Sequence, residues 1–255
     1  MKTKPLPWVK QAIFPLDGIP VIEELKGAWH QIRDEYLEAR YGAALYPLTE
    51  IYSGQWLITS LRSNSVEIGY LSFEQRIAEI IPCVGAASVG KMSPDEVNAA
   101  FCKCCDEEEA LNRARHPTLS AILEPLYPHA CFMYNYSLMR PGVRLSPHAG
   151  IDSGCVRVHL GLREDPNCWL NVMGVQRTWK DGEVFGFDDA NIHLAEHHGD
   201  RDRLVVIMDF KKTYIEEQLH KKNRTKERSD QIRRLPSVPR SQGPIQLRPS
   251  RMDSK

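Results

Sequence analysis

A chain of 255 residues with 42% apolar and 26% charged side chains has the make-up of an ordinary globular protein with one large core. No run of it approaches the roughly 18–20 consecutive apolar residues that a membrane-spanning helix needs. The formal net charge of zero hides an acidic body and a basic end: residues 211–255 hold 13 Lys+Arg against 5 Asp+Glu, and residues 1–210 hold 20 against 28.

The opening stretch, MKTKPLPWVKQ, lacks an apolar secretory segment, and seven cysteines at irregular spacings make no disulfide framework. A reducing, cytoplasmic setting is therefore expected. Pro5, Pro7, Pro15 and Pro20 keep the start irregular. A helix follows in VIEELKGAWHQIRDEYLEARYG, where Ile22, Leu25, Ala28, Trp29, Ile32, Tyr36 and Leu37 recur at three- and four-residue steps and Gly42 offers a stop. Residues 51–70 read as a strand or hairpin around Trp56, Ile58 and Thr59, with a polar turn at Arg62–Ser65.

From Ser72 to about Glu124 the pattern is helical again, with Ser93-Pro94-Asp95-Glu96 as an N-cap carrying proline at the first helical position, and Pro125 closing a last short helix. Within it, FCKCCDEEE groups Cys102, Cys104 and Cys105 without a second Cys/His pair at zinc-finger spacing, so free thiols on a helix are expected.

Strands begin at His129. HACFMYNYSLM is aromatic and alternating, and GCVRVHLGL alternates strictly, with Val156, Val158, Leu160 and Leu162 on one face and Arg157, His159 and Gly161 on the other. In a small barrel or jelly roll that second face lines a pocket. CWLNVMG follows, then TWKDGEVFGF with Asp181-Gly182 as its hairpin turn. RLVVIMDF ends the sheet with Arg203, Val205, Ile207 and Asp209 sharing a face. The remainder, from KKTYIEEQ onward, makes a charged helix at most and then a polar segment with little to bury. A basic tail of this kind can bind nucleic acid or an acidic partner, although a solvated extension is the simpler reading.

His148 and His193 lie in strand connections, and imidazole is a common ligand for iron, copper and zinc. Ten residues after His193, Arg203 opens an inward-alternating strand, and a buried arginine needs an anion. If that anion is a small dicarboxylate that also chelates a metal, Arg203 takes its distal carboxylate, Arg157 and His159 meet its metal-proximal end, and Ser137 adds a hydroxyl. The competing reading for Arg157 and Arg203 is an internal salt bridge to Asp188, Asp189 or Asp209. His197 and His198 read as solvated side chains, Trp179 as hairpin packing, and Asp188-Asp189 as loop hydrogen bonding.

PHAG, RVHLGL, W-x-x-GE-x-x-x-FDD, IH and RL-x-x-x-x-D, in that order, resemble the aspartyl/asparaginyl β-hydroxylase family of 2-oxoglutarate-dependent oxygenases, well over about residues 130–210 and more weakly from Gly54. The resemblance implies a mixed α+β fold with a double-stranded β-helix (jelly-roll, cupin-like) core and N-terminal helices packed outside. The chain is then expected to divide into residues 1–128, helical and strand elements integrated with the core; 129–212, the catalytic core; and 213–255, which its composition makes a basic, disordered tail. The resemblance also implies Fe(II) held by His148 and His193, 2-oxoglutarate held by Ser137 and Arg203 at its distal carboxylate and by Arg157 and His159 at its metal-bound end, and O2 as co-reactant. Hydroxylation of an unactivated C–H bond in an amino acid, a peptide residue or an amino-acid-derived metabolite is the implied activity. A lipid acyl chain as substrate and a non-catalytic jelly-roll binding module are the alternatives.

Most relatives in the wider superfamily add a carboxylate two residues after the first histidine. Gly150 stands there, as in the family resembled, so that water or Asp152 completes the metal shell. Where members acting on acidic or amide side chains carry an arginine, this chain has Cys155, which leaves Arg62, Arg140 and Arg144 as candidate partners for an acidic substrate.

Overall fold

The computed structural model describes residues 11–39, 43–46, 48–63, 71–150 and 154–234; Gly42, Asp152 and most of the expected turn after Arg62 fall outside them. Strand β1 (Ile13–Pro15) precedes helix α1 (Pro20–Ala39), and β2 (Ala44–Leu45), β3 (Tyr52–Ser53) and β4 (Trp56–Arg62) follow. A helical block comes next: α2 (Phe73–Val84), α3 (Ala86–Val89), α4 (Pro94–Arg115) and α5 (Pro117–Leu123). Eight strands then run in sequence: β5 (Cys131–Met139), β6 (Arg144–His148), β7 (Cys155–Arg163), β8 (Cys168–Val172), β9 (Val175–Thr178), β10 (Val184–Asp188), β11 (His193–His197) and β12 (Arg203–Lys211). Helix α6 (Lys212–Arg234) ends the described chain.

All strand pairs are antiparallel and form two sheets. The larger runs β1-β10-β7-β12-β5-β4-β2 and the smaller β3-β6-β11-β8-β9. Face to face they make the expected jelly roll. Alternation divides the large sheet cleanly. On its outer face Val156, Val158, Leu160 and Leu162 join Leu204, Val206, Met208 and Phe210 beneath Ile22, Leu25 and Ile32 of α1 and Leu119 and Leu123 of α5. Its inner face meets the small sheet through Met139, Phe185, Phe187 and Val205 against Leu145, Leu170, Val172 and Ala195. A third, smaller cluster of Leu71, Ile80, Val89, Val97 and Phe101 ties α2, α3 and α4 together.

The helix ends follow their residues. Ser93 accepts from the Glu96 amide while Glu96 reaches back to the Ser93 amide, with Pro94 at the first helical position; Ser72 and Gln75 form a second such box at α2. Leu37, placed on the buried stripe of α1 by its spacing, is 39% exposed, because the stripe turns away from the core after Tyr36.

Of the strand or hairpin expected over residues 51–70, the strand is present as β4, while β3 pairs with β6 in the small sheet and β4 with β5 in the large one. One turn assignment needs correction: Asp181-Gly182 is not a hairpin turn, since β9 pairs with β8 and β10 with β7. That segment carries the chain from one sheet to the other. The true hairpin is β8–β9, turning through Met173 (φ 49°) and Gly174 (φ 84°). The tail expected from residue 213 onward begins as helix, with Ile215 fully buried and Leu219 packed on the core.

Candidate functional site

β6 and β11 lie side by side with His148 directly opposite His193. The register slips between His193 and Ala195, a bulge of the kind that re-aims side chains beside functional sites. The two imidazole rings stand 4.2 Å apart, centre to centre. Each is oriented through its Nδ1: His148 toward the Ser146 carbonyl at 2.7 Å and His193 toward the Asn191 carbonyl at 2.8 Å. A carbonyl oxygen only accepts, so each Nδ1 carries the proton and each Nε2 keeps a lone pair. Burial lowers the pKa of His148, and burial together with the neighbouring His148 takes His193 down to about 3. Both are neutral at neutral pH, the state in which imidazole binds a metal.

These histidines open onto a cavity of about 40 Å³ between the sheets, which Ser137, Arg157, His159 and Arg203 also line. All six residues singled out by sequence thus share one site. Their hydrogen-bonding states differ. Arg203 is 2% exposed, and its Nε and Nη1 are buried with no hydrogen-bond partner among the described residues. Its guanidinium lies 4.6 Å from the Trp179 ring centre and also meets the Cys168 thiol. Neither contact supplies a negative charge comparable to a carboxylate.

Trp179 donates its indole N–H to His159 Nδ1 at 3.0 Å. The proton of His159 is therefore on Nε2, which is buried without a partner among the described residues. Burial, with Arg203 and Arg157 nearby, holds His159 well below the usual imidazole range, so it stays neutral. Ser137 accepts from Trp56 Nε1 at 2.8 Å, which leaves its own hydroxyl hydrogen to donate.

Arg157 is placed differently. Its Nε and Nη2 bind both oxygens of Asp209 at 2.9 and 2.8 Å, and Nη1 lies 3.0 Å from Asp189 Oδ1. The internal ion pair is thus realised for Arg157, and an anion in the cavity would have to share it with two carboxylates.

Sequence reasoning missed three positioning residues: Trp56, Trp179 and Asp189. An indole N–H beside a buried hydroxyl or imidazole is a signal only once the strands are paired. Asp189 is 3% exposed, its Oδ1 lies 3.8 Å from His193 Nε2, and its backbone carbonyl accepts from the Gly150 amide at 2.7 Å. A Cβ on residue 150 would sit 1.6 Å from Asp189 Oδ2. Glycine is required there because this carboxylate occupies the space. Gly161 is likewise obligatory, since a Cβ would fall 2.1 Å from the Lys180 carbonyl oxygen where the chain crosses between sheets.

His197, expected to be solvated, is 1% exposed; its Nε2 lies 2.7 Å from the Arg201 carbonyl and its Nδ1 accepts from the Gly199 amide. It braces a loop. His198 is exposed and pairs with Glu196. The thiols of Cys102, Cys104 and Cys105 are free.

A family model described as aspartyl/asparaginyl beta-hydroxylase matches residues 26–213, from α1 to the start of α6. The chain belongs to the aspartyl/asparaginyl β-hydroxylase family. Mouse aspartate beta-hydroxylase domain-containing protein 1 is 38% identical over 78 residues, 29% of this chain and 22% of its own length. The ornithine lipid ester-linked acyl 2-hydroxylase of Rhizobium tropici is 38% identical over 80 residues, 30% of this chain and 28% of its own. The chain thus matches less than a third of the length of these relatives. A Pseudomonas putida prolyl-4-hydroxylase superposes with a TM-score of 0.39 at 12% identity, over 80% of this chain and 95% of that one. No helix among the described residues is long and apolar enough to cross a membrane.

Proposed function

We propose that the chain is an Fe(II)- and 2-oxoglutarate-dependent oxygenase that hydroxylates an unactivated C–H bond of an amino acid, a peptide residue or an amino-acid-derived metabolite. One observation carries this reading: a buried, unpaired Arg203 guanidinium faces the same cavity as two neutral histidines with free Nε2 lone pairs. A buried charge without a partner is costly, and a dicarboxylate that also chelates a metal would relieve it.

The residues present fit both groups. His148 and His193 would hold iron through Nε2. Arg203, with the Ser137 hydroxyl, would take the distal carboxylate of 2-oxoglutarate, and the orphaned Nε2–H of His159 would donate to the metal-proximal end. Bound together, iron and 2-oxoglutarate supply the activation of O2 that inserts one oxygen atom into the substrate.

The chain's own part is positional. Trp179 fixes the His159 tautomer and spreads its ring against Arg203; Trp56 turns the Ser137 hydroxyl. Asp189 fills the place of a third protein ligand at residue 150 and, with Asp209, holds Arg157. Phe187, 5.1 Å from the His193 ring and 5.4 Å from that of His159, keeps the pocket dry.

Iron-dependent succinate release from 2-oxoglutarate, measured on wild type and His193→Ala with a substrate panel, tests the proposal. Release by wild type alone, with a product heavier by roughly 16 Da, is the expected result. No iron-dependent release with any substrate would overturn it and leave a binding module.

A further inference from the structure

The helical block carries chemistry that the metal cavity does not use. Four free thiols lie on it, Cys83 on α2 and Cys102, Cys104 and Cys105 on α4. The whole of α3 separates Cys83 from Cys104 along the chain, yet these two side chains are in hydrogen-bond contact.

That contact follows from how the helices pack. Ile80 and Val84 of α2 share one apolar cluster with Phe101 and Cys104 of α4, and Arg76 holds Asn98 across the same seam at 2.8 Å. Cys83, next to Val84, stands at the exposed edge of the seam, and Cys104 is half-buried in it. A disulfide requires Cβ vectors that converge. Thiols already touching across two packed helices meet that requirement with little backbone movement. Cys105 is placed otherwise: it lines a cavity with Ile58 and Phe101, and burial pushes its thiol up to about 12.

We propose that Cys83 and Cys104 form a reversible disulfide by exchange with a small oxidised disulfide such as oxidised glutathione, and so act as a redox-responsive tie between α2 and α4. The exposed Cys83 thiolate attacks one sulfur of the small disulfide and releases a first thiolate, leaving a mixed disulfide. Cys104 then loses its proton to solvent, attacks the Cys83 sulfur and releases the second. Two protein thiols are oxidised by two electrons in all, and one small disulfide is reduced to two thiols. Burial and the contact with Cys83 push the Cys104 thiol up to about 11, which makes Cys83 the first to attack and Cys104 the resolving partner.

The tie bears on the rest of the molecule through α4. Glu109 accepts from the Ser63 amide at 2.6 Å, Asn112 donates to the Ser60 carbonyl at 3.0 Å and Arg113 to the Leu61 carbonyl at 2.5 Å. These bonds fasten α4 to the end of β4, the strand whose Trp56 donates to Ser137. The proposal needs no iron and is independent of the oxygenase reading.

Peptide mass mapping of the full chain tests it. The reduced chain is equilibrated with mixtures of oxidised and reduced glutathione, and its remaining thiols are alkylated. One cross-link, Cys83 to Cys104, should form as the oxidised share rises and vanish when dithiothreitol is added; Cys102→Ser should keep it. Glutathione held stably on Cys83, a bond through Cys102 or Cys105 instead, or alkylation of both thiols throughout would overturn the proposal. The bonded chain should melt roughly 5 °C or more above the reduced one, and Cys83→Ser should remove that difference. A lower midpoint on oxidation would overturn the role as a tie.

Discussion

Arg157 and Arg203 lie on the same inner face of neighbouring strands, β7 and β12, yet their charges are met in opposite ways. Arg157 is held by both oxygens of Asp209 and by Asp189. Among the described residues Arg203 has only an aromatic face and a thiol, with two buried nitrogens unsatisfied. One end of the cavity is electrostatically closed and the other is open, which is why the anion is proposed to bind at Arg203. The lesson is that arginine on an inward face does not by itself define an anion site; the absence of an internal carboxylate does.

Four experiments sharpen or break this contrast. The largest effect is expected from His193→Ala, which removes half of the proposed metal-binding pair and should abolish both iron-dependent succinate release and Co(II) binding followed by absorption. Retained metal binding would detach the histidines from the open end of the cavity. Arg157→Ala leaves Asp209, 1% exposed, without its partner, and breaking a buried pair in this way costs about 3–5 kcal/mol. Urea unfolding should show that loss, with a smaller change in KM for 2-oxoglutarate than Arg203→Ala produces. A large rise in KM at full stability would instead make Arg157 a cosubstrate ligand.

Arg203→Ala should raise KM for 2-oxoglutarate about tenfold or more, since a charge-assisted contact is worth about 1.5–3 kcal/mol. Metal-free stability should hold or increase, because an unpaired buried charge is removed. An unchanged KM would move the anion site elsewhere.

The smallest effect concerns pH. His116, His148 and His159 are lowered by burial, and His193 reaches about 3. Below their ordinary value of 6.5 the unfolded chain takes up protons that the folded one refuses. Stability of the metal-free chain is therefore flat above that pH and falls below it, down to about pH 3 for His193. Urea midpoints between pH 7.5 and 5 read this directly; a midpoint rising as pH falls would show these histidines charged in the native state.

Much of this was legible in the residues. Strict alternation in GCVRVHLGL and RLVVIMDF separated the faces of β7 and β12, and Ser93-Pro94 marked the start of α4, because both patterns are local consequences of backbone period and capping. The hairpin at Asp181-Gly182 was misread for the opposite reason. Gly182 does take positive φ, at 74°, but the strand after it pairs with β7, and pairing partners lie far away in sequence. His197 and Asp189 were placed as ordinary loop residues because burial depends on what folds over them.

The sequence by itself determined which side chains share a face, through the two-residue period of a strand, and which residues start helices, through local capping. That two histidines and a late arginine meet inside a jelly roll was implied by the family resemblance. Tertiary structure alone decided that Arg157 is neutralised and Arg203 is not, that Trp179 sets the His159 tautomer, and that Asp189 fills the space beside Gly150. Each of those depends on contacts between segments tens of residues apart, where register, not composition, sets which charge finds a partner.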